Sequence, residues 1–333
     1  MMRKILLPML VLLIALTGVV HAEVTGGASS GPVTVKLIDG GKSARVEFNG
    51  KLFAEYLGQG FAKPIVYPII GPDGVNMVRN WPVKENVPGA EAEAKDHPHH
   101  KSLWYTHGNV NGVDFWAEGP GKGKIVPTDT LTLSASGKGA TGFASVSTKN
   151  EWRNADGKPV LTDEQTVTFH LLADDNRAID YRITLTASHG DVTFHDTKEG
   201  SMGIRTHPAL RLKGPVAKGK AVNSEGDADG KLWGKRAKWV DYWAPIDGKT
   251  VGMAIFDHPS NPRHPTHWHA RDYGLVAANP FGIHDFEKKG KGAGDMAIKN
   301  GEKVTFTYRF LFHKGDVKEA KVAELYNAYA SEK

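Results

Sequence analysis

The chain contains no cysteine. That absence excludes disulfides, zinc–thiolate sites and iron–sulfur clusters together, even for a protein bound for an oxidising compartment. At 333 residues the chain can bury a sizeable core without such cross-links. Charge of one sign is also scarce. Lys and Arg number 42 against 37 Asp and Glu, and the formal +5 falls to +3 once Arg3 and Lys4 are set aside with the leader described below. The charges are dispersed, and a basic pair such as Lys288-Lys289 sits in a glycine-rich stretch, so no nucleic-acid partner is expected. There is no serine-nucleophile elbow, P-loop or dinucleotide fingerprint. The glycine-rich runs at 119–123 and 290–294 do not join a strand to a helix. Beyond residue 22 no apolar run approaches the ~20 residues of a membrane span.

The one long apolar run is N-terminal. Arg3 and Lys4 form a basic head, and residues 5–20 are apolar apart from Pro8, Thr17 and Gly18. Val20-His21-Ala22 then ends on the small residue that signal peptidase reads. The expectation is a signal peptide at 1–22, a periplasmic or secreted product, and a single domain at 23–333 with no stable membrane span after cleavage.

Beyond the leader, many short segments read as strands. Residues 33–38, 44–48, 51–57, 65–70, 128–134, 144–152, 160–172, 178–187, 239–243, 250–256 and 303–312 qualify. The cleanest alternation is at 178–187, where Ile179, Tyr181, Ile183 and Leu185 interleave with Asp180, Arg182, Thr184 and Thr186. Asp39-Gly40-Gly41 and Asn154-Ala155-Asp156-Gly157 supply turns. Residues 85–95 and 213–235 read as exposed loops. Only 317–330 has helical spacing, with Val317, Ala320, Leu325 and Tyr329 on one face. The fold class expected is all-β, a large antiparallel sandwich with one C-terminal helix. A jelly roll or cupin-type barrel is the alternative.

Histidine is where the sequence departs from packing needs. Two segments, 97–107 and 258–269, hold eight of the fifteen histidines. The first belongs to DHPHHKSLWYTHGNVNGVDFW (96–116), which carries His97, His99, His100 and His107 with Asp96, Asp114, Asn109, Trp104 and Trp116. The second belongs to residues 257–286, with His258, His264, His267, His269 and His284. A third stretch, FHDTKEGSMGIRTHPAL (194–210), offers His195, Glu199, Arg205 and His207. Mixtures of imidazole, carboxylate and aromatic groups suit proton transfer and ligand binding.

Several readings stay open at this level. His267 and His269, two apart in an extended segment, face the same side roughly 6.5–7 Å apart. They can share a divalent metal with a distant third ligand such as His99, His107 or Glu199, or they can flank a substrate. Trp268 then points the other way, into the sheet. Asp114, between Val113 and Phe115, needs a partner, for which a histidine or arginine is expected. Glu199 is a candidate base or the partner of Arg205 in a salt bridge. Arg271-Asp272-Tyr273 and Asn279 offer fixed polar groups to hydroxyls or carboxylates. The aromatics nearby suit sugar stacking and a sandwich core equally.

These three stretches, with KPIVYPIIGPDG (63–74) and Arg79, resemble a family of bacterial exported proteins carried under the label "methane oxygenase PmoA". The resemblance covers nearly the whole chain after residue 22. The membrane enzyme of that name is an integral protein, so the label is not taken to imply methane oxidation. Such proteins are commonly encoded beside sugar-processing oxidoreductases and glycoside-degrading enzymes. The strand pattern is also similar to the galactose-mutarotase-like supersandwich, in which histidine and glutamate move protons at sugar carbons.

The expected function is therefore an exported carbohydrate-active enzyme with a small sugar or sugar derivative as ligand. His99, His100, His107, Glu199 and His269 are its candidate catalytic groups. Trp104, Asn109, Asp114, Arg205, Arg271, Tyr273 and Asn279 are candidates for holding substrate. No cofactor is required on this reading. The alternatives are a metal-dependent oxygenase or hydrolase built on His267 and His269, and a non-catalytic sugar-binding module marked by an open aromatic platform.

Overall fold

A computed structural model of the chain describes residues 26–332, so the expected signal peptide at 1–22 lies outside the described residues. Two nine-stranded sheets and a two-stranded ribbon form, and their ladders run antiparallel. The first sheet begins as a meander in chain order: Gly27–Ser30, Val33–Ile38, Ser43–Phe48, Lys51–Leu57, Ile65–Ile69 and Leu103–His107. It is completed by strands from far along the chain, Gly200–Arg205, Leu275–Asn279 and His267–Ala270. The second sheet runs Lys220–Asn223, Trp239–Ile246, Lys249–Asp257, Lys303–Lys314, Arg177–Thr186, Pro159–Leu171, Thr141–Arg153 and Lys124–Pro127, with Thr132–Lys138 also paired to Thr141–Arg153.

Period-2 alternation explains the sandwich. In Arg177–Thr186 the residues Ile179, Tyr181, Ile183 and Leu185 are buried while Arg182 faces solvent. The two inner faces interdigitate: Phe53 meets Phe169 edge-on at 5.8 Å between centroids, and Tyr105 lies 6.4 Å from Trp152 and 6.3 Å from Phe306. The fold class is the all-β antiparallel one expected.

Some boundaries differ from the sequence reading. The segment expected at 128–134 is two strands, Lys124–Pro127 and Thr132–Lys138, each paired to a different half of Thr141–Arg153. The loop at 213–235 holds the edge strand Lys220–Asn223. The C-terminal helix is Val322–Ala330 rather than 317–330, because Lys321 has a left-handed backbone (φ 53) at which an α-helix cannot continue. It packs Tyr326 and Tyr329 against Phe256. A five-residue helix, Ile283–Glu287, is too short for periodicity to reveal.

Candidate functional site

The four strands at the end of the first sheet are in register. Trp104 pairs with Gly203, Gly203 with Ala277, and Ala277 with His269. Residues paired across an antiparallel ladder share a face, so this row lies on one side of the sheet. The next row, Tyr105, Met202, Ala278 and Trp268, faces the sandwich core. The first row lies beneath a cleft on the outer side and contributes His269 to its lining. Glycine is required in the row, because a Cβ at position 203 would lie 2.9 Å from the Trp104 ring.

One wall is the loop at 94–100, held by a buried arginine. Arg79 donates through Nη1 to the carbonyls of Ala94 and Asp96, both at 2.9 Å, and to Asp96 Oδ1 at 2.7 Å. Its Nη2 reaches the carbonyls of His97 (3.2 Å) and His100 (3.0 Å). Buried Lys63 adds a bond to the His99 carbonyl (3.0 Å) and one to Glu118 (2.6 Å). Four rings then stack nearly parallel: Tyr273 on His97 at 4.9 Å, His97 on His100 at 4.9 Å, and His100 on Trp104 at 5.5 Å. The opposite wall brings Lys198 and Glu199. Gly108 donates to the Glu199 carbonyl at 2.7 Å, and a Cβ on Gly108 would sit 2.8 Å from that of Glu199.

The resulting cleft of about 440 Å³ is lined by His97, His99, His100, Gly108, Asp114, Trp116, Ala117, Lys198, Glu199, His269, Arg271 and Tyr273. Of the sequence candidates it collects His99, His100, Glu199, His269, Asp114, Arg271 and Tyr273. Five others lie elsewhere. His107 sits on the core side of its strand, with Nε2 2.7 Å from the His195 carbonyl and its ring against Phe281. Trp104 is beneath the cleft, covered by His100 and Trp116. Asn109 accepts from Gly112 N–H (2.9 Å) and closes a turn. The Asn279 amide is spent on Thr197, Phe281 and Gly282 backbone groups. Arg205 is buried under the wall, donating to Asp96 Oδ1 (2.7 Å) and His100 Nδ1 (3.2 Å) with its guanidinium over Tyr273.

The ion pairs also differ from expectation. Asp114 binds Lys122 (2.8 Å) and the backbone N–H groups of Trp116 and Ala117, not a histidine or arginine. Glu199 pairs with its neighbour Lys198 through Oε1, not with Arg205. His267 lies on the same face as His269, but Glu287 engages it at 2.9 Å and Phe286 stacks on it. Among the described residues no group of three His, Asp or Glu side chains converges as a metal-ligand set. Trp268 does point inward, donating to the Ala237 carbonyl at 2.9 Å. Sequence reasoning missed Lys198, Lys63 and Arg79 as parts of the site. Their signal was slight: Lys198 adjoins Glu199, Lys63 opens the KPIVYPIIGPDG segment and Arg79 lies five residues beyond it.

Burial sets the charge state of the cleft. It pushes His99 down to about 4, helped by Lys63 and His97 and opposed by Glu118 and Glu199. It pushes His269 down to about 3, with Arg271 and Lys198 adding to the shift. His100 is pushed far down by burial, with His99 and Arg205 contributing. All three are neutral imidazoles at neutral pH, each with one N–H and one lone pair.

Several of their polar atoms are unsatisfied. Because Arg205 donates to His100 Nδ1, the proton of that ring sits on Nε2, and Nε2 is buried without a partner. His269 Nδ1, Trp116 Nε1 and Trp104 Nε1 are likewise buried and unpartnered among the described residues. Each such group costs about 1–3 kcal/mol if nothing satisfies it. Their gathering around one cleft sets this side of the sheet apart from the hydrogen-bonded core.

A family model, described as a family of unknown function (DUF6807), matches residues 43–327. Its description names no activity and does not carry the methane-oxygenase label. No curated protein sequence matches the chain. Among solved structures the chain is similar to a galactose mutarotase-like protein from Lactobacillus casei ATCC 334, with TM-score 0.35 and 10% identity over 86% of this chain and 99% of that one. It is also similar to an aldose epimerase homologue from C. elegans, with TM-score 0.27 and 10% identity over 87% and 98%. A candidate kojibiose phosphorylase from the human microbiome gives TM-score 0.34 and 8% identity over 69% of this chain, which spans only 27% of that longer chain. Likenesses this distant say nothing of this chain's own activity.

Proposed function

The chain belongs to this family of unknown function, and from the chemistry of its cleft we propose that it is an exported enzyme performing acid–base chemistry on a small sugar or sugar derivative. One observation carries the reading: His99, His269 and Glu199 line a single cleft, both histidines being neutral. The N-terminal leader supports export. Tyr273, half-buried, gives the cleft an aromatic lining, and the cleft volume suits one or two sugar rings.

The roles follow from charge state. At neutral pH the histidines are not imidazolium acids, which alters the division of labour the sequence suggested. The Glu199 oxygen not paired with Lys198 takes a proton from a carbon or hydroxyl of the substrate. A neutral imidazole across the cleft supplies an N–H to the oxygen on which charge develops, or takes up a proton on its lone pair. Epimerisation and elimination share this first step; in hydrolysis the same carboxylate takes its proton from water instead.

The test is a panel of aldoses, ketoses and sugar acids incubated with the protein in D2O, followed by proton NMR for exchange at carbon or new products. Glu199→Gln and His269→Ala should each lower turnover by about 100-fold or more, with unfolding temperatures close to that of the parent. Full turnover in both variants would overturn the proposal.

A further inference from the structure

Charge pairing around the cleft leaves one group over. Glu199 is paired with Lys198, and Asp114 with Lys122. Asp96 is shared by Arg79 and Arg205, and Glu118 by Lys63 and Lys101. Arg271 lines the cleft half-buried, and its guanidinium makes no ion pair or hydrogen bond among the described residues. It lies 5.5 Å from the centroid of Tyr273, which limits the directions the fork can take. It is close enough to His269 to be the second largest influence on that ring. The histidines are neutral, so Arg271 is a cation of the cleft lining that no carboxylate side chain touches, beside the proposed proton-transfer groups.

We propose that Arg271 is the carboxylate subsite of this cleft, and that the substrate is a sugar acid, a hexuronate or a residue of that type, rather than a neutral sugar. The inference rests on the proposed function and names its substrate class. A planar fork of N–H donors matches a planar carboxylate through two parallel bonds.

The experiment titrates the full chain, after leader removal, with glucuronate, galacturonate and mannuronate. Each is set against its neutral hexose and its hexose 6-phosphate at one pH and ionic strength, with binding followed by calorimetry. At least one hexuronate should bind about tenfold or more tightly than its neutral partner. Arg271→Gln should bring that ratio below about twofold, and Arg271→Lys should leave an intermediate preference. Neutral sugars binding as well as acids, phosphates binding best, or a preference that survives Arg271→Gln would each overturn the carboxylate subsite. Neutral sugars that are turned over, with loss in Glu199→Gln, would leave the acid–base proposal standing while this one falls. Failure of every sugar to bind would remove both.

Discussion

Between the two sheets, Asp163 accepts hydrogen bonds from Asn150 Nδ2 (2.7 Å), Trp152 Nε1 (2.6 Å) and Gln165 Nε2 (3.3 Å). The Gln165 carbonyl in turn accepts from the hydroxyls of Tyr56 (3.1 Å) and Tyr181 (2.7 Å). On the outer side of the first sheet, His100, His269, Trp104 and Trp116 hold ring nitrogens that are just as buried and have no partner. Single unpartnered hydroxyls occur elsewhere, at Tyr105, Tyr242 and Tyr308. Only at the cleft, among the described residues, do four ring nitrogens gather. A polar network that closes on itself specifies packing. One that stays open carries a standing loss of stability.

Three experiments break or sharpen that contrast. The largest effect is on pH dependence, where the two clusters act with opposite signs. Burial lowers the cleft residues His99 to about 4 and His269 to about 3, and His107 on the core side of its strand to about 4, from an unfolded value near 6.5. Between those limits the unfolded chain binds protons that the folded one does not. Their contribution is therefore present above about pH 6.5 and lost as pH falls through about 4. Asp163 is raised by burial to about 6, so it takes its proton in the folded state first and opposes the loss. Three histidines outweigh one carboxyl. The melting midpoint should fall on acidification across that window, and a midpoint that rises would show that the cleft histidines are not held neutral.

Next is Asp163→Ala, which strands Asn150, Trp152 and Gln165 together and should cost about 3 kcal/mol or more in urea unfolding. A cost under about 1 kcal/mol would mean that the closed network does not hold the core. The smallest and sharpest effect is a matched pair. Trp152→Phe removes a bonded N–H and should cost about 1–2 kcal/mol, whereas Trp116→Phe removes an unpartnered one and should stay within about 0.5 kcal/mol. Equal costs for the two would erase the distinction.

The legibility of the fold followed exposure. Arg177–Thr186 was visible because one face meets the core and the other meets water. Gly200–Arg205 was not, since all six of its residues are buried, polar and small ones included, and a strand covered on both faces loses its polar–apolar signature. Leu103–His107 and His267–Ala270 were hidden in the same way. Histidine clustering led to the cleft, which three histidines of the first segment and one of the second line. What the clustering cannot convey is parity. His107 differs from His99 in being on a strand whose odd positions, Leu103, Tyr105 and His107, face the core, and that depends on pairing with strands about a hundred residues away. Arg205 misled for a related reason. A buried arginine on a strand looks like a ligand group until Asp96, far along the chain, is seen to occupy it.

The row from Trp104 to His269 has a consequence for the dimensions of anything the cleft accepts. Neighbouring strands are ~4.8 Å apart, so the three steps separate the backbones of Trp104 and His269 by about 14 Å. Backbone hydrogen bonds set that interval, and side-chain substitution does not alter it. The sheet is thus a gauge with fixed graduations. The width of the sheet beneath the cleft comes in whole strands, and a chain that needed a wider one would have to add a strand rather than mutate a residue.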